Sequence, residues 1–94
     1  MGDTPRETTR VWLVERTYSD DEQNIVILTY ATPDGERYLR KERALTSFSD
    51  VRDTTAAVEA TSGELGRVAD PQVEDQYATE AQRMQRAHEP DDVI

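Results

Sequence analysis

The chain has no cysteine, one lysine, one histidine and one tryptophan among its 94 residues. Without cysteine there are no disulfides and no thiolate metal sites, which favours an intracellular setting. A single histidine, His88, cannot make a zinc site and is the only candidate base for a nucleophile triad. It stands near a proline at the end of a helical pattern, where a histidine complements the helix dipole. Asp20, Asp21 and Glu22 lack the spacing and the glycine of a calcium loop, and Asp91 and Asp92 fall in an expected tail. Four scattered glycines form neither a phosphate loop nor a dinucleotide fingerprint. No apolar run approaches the roughly 18 residues of a membrane span. The opening MGDTPRETTR has no apolar signal core, and Arg6 stands where a myristoylation pattern needs Ser or Thr. These absences point to a soluble cytoplasmic protein with no catalytic constellation, no cofactor and no metal.

Charge of one sign dominates what is there. Twenty carboxylates stand against eleven basic residues, for a formal net charge of −9. Residues 1–45 sum to −2 and residues 46–94 to −7, so any anion site belongs to the N-terminal half. Within that half, RYLRKER at 37–43 gathers Arg37, Arg40, Lys41 and Arg43. The run reads either as the footprint of an anionic partner or as the guarded end of a strand, where charge blocks edge-to-edge pairing.

The apolar pattern is that of an α+β protein: an antiparallel β-meander of three to four strands packed against a C-terminal α-helix. RVWLVERTY at 10–18, NIVILTYA at 24–31 and ERYLRKERAL at 36–45 are the strands, and TTAAVEA at 54–60 is a fourth, with a helix from Ser49 as the competing reading. SDDEQN is a polar connection. TPDG at 32–35 is a turn in which Pro33 pre-sets φ and Gly35 takes a positive φ. Asp70 caps a helix near 71–88, Pro71 suits its first position, and Val73, Tyr77, Ala81 and Met84 form its apolar stripe. The domain spans 10–88, with a flexible tail at 1–9 and a flexible acidic tail at 89–94.

A three-residue hairpin loop with a glycine bulge places Thr32 opposite Glu36, and hence Tyr30 beside Tyr38 and Leu28 beside Arg40. Closing the first loop with Tyr18 opposite Asn24 adds Trp12 beside Tyr30. One face then carries the row Trp12–Tyr30–Tyr38 with Arg16 and Arg40. Such a row is either a stacking platform for single-stranded bases or nucleotides, or an aromatic layer packed under the helix or across a dimer. Lys41 and Arg43 are the further candidate anion contacts. The strand at 24–31 is apolar on both faces, and one helix of about 25 Å covers only one of them. The second face is expected to be covered by residues 46–66 or by a second copy, so a homodimer is expected.

VWLVERTYSD followed by LTYATPDGERYLRKERA resembles short haloarchaeal proteins of no established activity, over roughly residues 10–85. An acidic surface almost without lysine has the same implication, a chain kept soluble by hydrated carboxylates in molar salt. The sequence therefore reads as a small, non-enzymatic interaction or regulatory module of a halophile acting as a homodimer. A single-stranded nucleic-acid or nucleotide-binding module is the alternative.

Overall fold

A computed structural model describes residues 8–19, 25–44 and 54–94. The elements are β1 (Thr8–Ser19), β2 (Ile25–Ala31), β3 (Arg37–Ala44), β4 (Ala57–Thr61), β5 (Gly66–Arg67) and α1 (Pro71–Ala87), with one 3₁₀ turn at Ser62–Glu64. All strand pairs are antiparallel, and the sheet order is β4-β1-β2-β3-β5. The fold is thus the expected α+β meander and helix, with the fourth strand at one edge and a two-residue β5 added at the other. Of the expected tails, residues 1–7 lie outside the described residues and Thr8 already pairs with Thr61. Residues 45–53, which include the start of the competing helix at Ser49, also lie outside them.

Two local features set which side chains share a face. The first is the hairpin after β2. Thr32 N–H donates to the Arg37 carbonyl at 3.1 Å, and Gly35 N–H donates to the Thr32 carbonyl at 2.8 Å. The loop therefore has four residues, not three, and Ala31 opposes Tyr38 while Tyr30 opposes Leu39. The cause is the Asp34 carboxylate, which accepts from both the Thr32 hydroxyl and the Glu36 amide and so holds Glu36 in the loop. A slip of one residue turns every β3 side chain to the other face. The second feature is a β-bulge in β1: Leu13 opposes Tyr30 and Glu15 opposes Thr29, leaving Val14 as the extra residue. Tyr18 meets Val26, not Asn24, and Trp12 meets Ala31, not Tyr30.

One sheet face consequently carries Trp12, Glu15, Thr17, Ile27, Thr29, Ala31, Tyr38, Arg40 and Glu42, and α1 packs against it. Helix and sheet meet closely at the hairpin, where a Cβ on Gly35 would lie 2.1 Å from the Glu74 carbonyl oxygen. Asp70 accepts from Gln72 N–H, Pro71 opens the helix, and the buried residues Ala81 and Met84 come from the expected stripe. The opposite face carries Val11, Leu13, Val26, Leu28, Tyr30 and Leu39, and all six are buried. The doubly apolar β2 is therefore covered on this face within one chain, with Leu28 at 0 % exposure.

β4 forms, as expected, but at Ala57–Thr61 and beside β1. Residues 90–94 run back along the stretch that leads into it: Ala57 N–H donates to the Pro90 carbonyl at 3.0 Å, Ala56 N–H to Asp92 at 2.9 Å, and Ile94 N–H to Thr54 at 2.9 Å. The short alanine side chains at 56 and 57 leave room for this close passage.

Candidate binding surface

The register sorts charge by face. In an antiparallel sheet, directly opposed residues point to the same side. The three carboxylates of the described strands, Glu15, Glu42 and Glu59, all lie on the helix face, with Arg10 and Arg40 among them. Arg10 bonds Glu59 at 2.8 Å and Arg40 reaches Glu42 at 3.2 Å, so both cations there are paired. The other face holds Arg16, Arg37, Lys41, Arg43 and Arg67, and no strand carboxylate among the described residues. RYLRKER is thus split: Arg40 joins the paired charges under the helix, and the other three join a basic face.

That face has two layers. Its centre is the buried apolar set, and the cations stand around it. Arg16, Leu28 and Lys41 form one cross-strand row, and Tyr18, Val26 and Arg43 form the next. Rows on one face are about 7 Å apart and next-nearest strands about 10 Å apart, so Arg16, Lys41 and Arg43 cluster around fully buried Leu28. Tyr18, at 65 % exposure, is the large apolar side chain left open beside them. Arg16 donates from Nη1 to the Ile94 carbonyl oxygen at 3.2 Å, which holds its stem across the sheet. Tyr30 lies beneath, and burial raises its phenol pKa against the opposing fields of Arg43 and Arg16.

The helix face offers a different site. Glu15, Thr17, Ile27, Thr29, Tyr38, Arg40 and Tyr77 line a cleft of about 380 Å³ between α1 and the sheet. Burial, then Glu15, then Tyr38, raises the Tyr77 phenol pKa, with Arg40 opposing. The Tyr77 phenol therefore remains a neutral hydrogen-bonding group at physiological pH. The cleft mixes a carboxylate, a guanidinium already paired and neutral hydroxyls, so it carries no strong charge preference.

Of the residues singled out in the sequence, Arg16, Tyr30, Lys41 and Arg43 come together on the basic face. Trp12, Tyr38 and Arg40 lie on the helix face. The aromatic row Trp12–Tyr30–Tyr38 is not assembled: Trp12–Ala31–Tyr38 replaces it. Trp12 is 3 % exposed and Tyr30 2 %, so neither ring presents a face for stacking. Tyr18 was missed, although its spacing of two from Arg16 within one strand places it on the same face.

Among the described residues no group of three or more His, Cys, Asp or Glu is placed to hold a metal ion. Among the same residues no helix is long and apolar enough to cross a membrane. No curated protein and no solved structure is similar to the chain. The profile of one family matches residues 5–94, and the chain belongs to that family, DUF7967, a family of unknown function.

Proposed function

We propose that this chain is a small, non-enzymatic interaction module that docks an acidic protein surface through Arg16, Tyr18, Lys41 and Arg43. The observation that carries this reading is the sorting of charge: a −9 chain keeps one sheet face free of strand carboxylates among its described residues. Charge complementarity sets the partner's sign, steers encounter and fixes register. An exposed tyrosine beside arginines is the residue mix enriched at interface centres.

A symmetric homodimer through this face would set like charge against like, because an isologous contact repeats one patch on itself. The uncovered apolar face that motivated self-association is filled within the chain, so the module is proposed to act as a monomer toward a different molecule. Burial of Trp12 and Tyr30 favours a protein partner over single-stranded nucleic acid, whose bases need open rings.

The test is fluorescence anisotropy of a labelled glutamate-rich peptide titrated with the protein at low salt, beside a labelled single-stranded oligonucleotide. Lys41→Glu or Arg16→Glu should weaken peptide binding by about tenfold, the scale of one to two exposed ion pairs. Arg10→Glu, on the helix face, should not. Tighter binding of the oligonucleotide, with quenching of Trp12, would replace the reading with the nucleic-acid alternative. Light scattering that gives twice the chain mass would restore the dimer.

A further inference from the structure

At the hairpin end of the basic face, Arg37 of β3 stands directly opposite Arg67 of β5. Like charges directly opposed across an antiparallel pair destabilise it, and β5 is only two residues long. Among the described residues neither guanidinium reaches a carboxylate within salt-bridge distance. Two carboxylates close in sequence are engaged elsewhere. Asp34 accepts from Thr32 and Glu36, and Glu64 accepts from the amide and hydroxyl of Thr61. Arg37, Arg67, Ser62, Leu65 and Gly66 line a shallow depression of about 280 Å³. The Ser62 hydroxyl has no hydrogen-bond partner among the described residues, and nothing lies within 4 Å of where a Cβ on Gly63 would stand. The depression is thus open to solvent beside two cations and a hydroxyl.

We propose that Arg37, Arg67 and the Ser62 hydroxyl form a seat for a phosphate-type dianion. A guanidinium offers a planar fork of donors, and one fork saturates a carboxylate's two oxygens. Two forks and a hydroxyl converging on one depression match the extra oxygens and second charge of a phosphate monoester or inorganic phosphate. The bound dianion removes the Arg37–Arg67 repulsion, so binding tightens the β3–β5 pair.

The seat deepens the docking reading by naming a ligand chemistry for one corner of the basic face. It is tested separately, since it shares no residue with the Arg16–Lys41–Arg43 cluster. The full chain is melted in inorganic phosphate, in O-phosphoserine, and in chloride of matched ionic strength. Phosphate should raise the melting temperature above the chloride control, and Arg67→Ala and Arg37→Ala should each weaken apparent phosphate affinity by about tenfold, as loss of a charge-assisted fork does. Arg10→Ala should respond as the wild type does. Arg67→Glu supplies the counter-charge internally, so it should melt higher than wild type without phosphate and lose the response. A larger shift with O-phosphoserine assigns the seat to a protein-borne phosphate; an equal one assigns it to the free ion. A phosphate shift no greater than chloride's, or one retained in Arg67→Ala, overturns the seat and leaves peptide docking at Lys41 untouched.

Discussion

Gly35 answers two requirements at once. Its φ of +76° is one that an L side chain enters at a cost of roughly 1–2 kcal/mol. A Cβ there would also meet the Glu74 carbonyl and the Ala78 amide of α1, which are backbone atoms and cannot swing aside. Gly35→Ala should therefore cost roughly 2–5 kcal/mol in urea denaturation, strain and overpacking together. Gly63→Ala, with nothing within 4 Å of its Cβ, should stay within about 0.5 kcal/mol. Asp34, next to Gly35, makes the hairpin pH-dependent. Hydrogen bonds from the Thr32 hydroxyl and then the Glu36 amide, with Arg37 nearby, hold its pKa below the ordinary 3.8. A carboxylate depressed in the folded state contributes stability above its unfolded pKa and loses it as pH falls through the folded value. Stability should thus drop below about pH 4 in the wild type. Asp34→Asn should show a shallower loss there and lower stability at pH 7, read from urea midpoints against pH. The side chain is exposed, so solvent screening keeps the effect modest.

Among the elements, the existence of the meander and of α1 was legible because each announces itself locally. β2 is a short β-branched run between turn signals, and α1 has a capping aspartate, a leading proline and an apolar stripe. Register was less legible, since it depended on one side chain. TPDG fits a three-residue loop as well as a four-residue one, and the Asp34 bridge to Glu36 decides between them only in three dimensions. The Val14 bulge leaves no mark because Val11–Val14 is apolar at every position and fits either register, yet it moves Arg16 and Tyr18 across the sheet relative to Trp12. These two half-turns account for the aromatic platform that did not form and the basic face that did. β5 was beyond reach, because two residues, Gly66 and Arg67, carry no pattern. Gly66 instead shows its role by packing: a Cβ there would lie 2.7 Å from Tyr38 Cε1. Gly66→Ala should push that ring aside and cost roughly 1–3 kcal/mol. Because the cost comes from the ring, the Gly66→Ala/Tyr38→Ala pair should be non-additive, and an additive double-mutant cycle would remove β5 docking as the explanation.

For the molecule as a whole, a charge of −9 on 94 residues makes salt a structural variable. Screening of self-repulsion should raise the melting temperature from dilute to molar KCl, by about 5 °C per kcal/mol gained in a domain of this size. A flat or falling trend would mean that local pairs such as Arg10–Glu59 and Glu80–Arg83 outweigh the net charge. The same scale applies to the strap formed by residues 90–94. The amides of Ala56 and Ala57, at 0 % and 6 % exposure, take their acceptors from Asp92 and Pro90. Burying an amide without a partner costs roughly 1–3 kcal/mol. Removing residues 88–94 should speed hydrogen exchange at those two amides well before it affects Leu28. Donor and acceptor are far apart along the chain here, so during synthesis these two amides leave the ribosome well before the carbonyls of Pro90 and Asp92 that receive them. Until the strap arrives, water must serve both amides, and the entry to β4 is the part of the sheet that closes last.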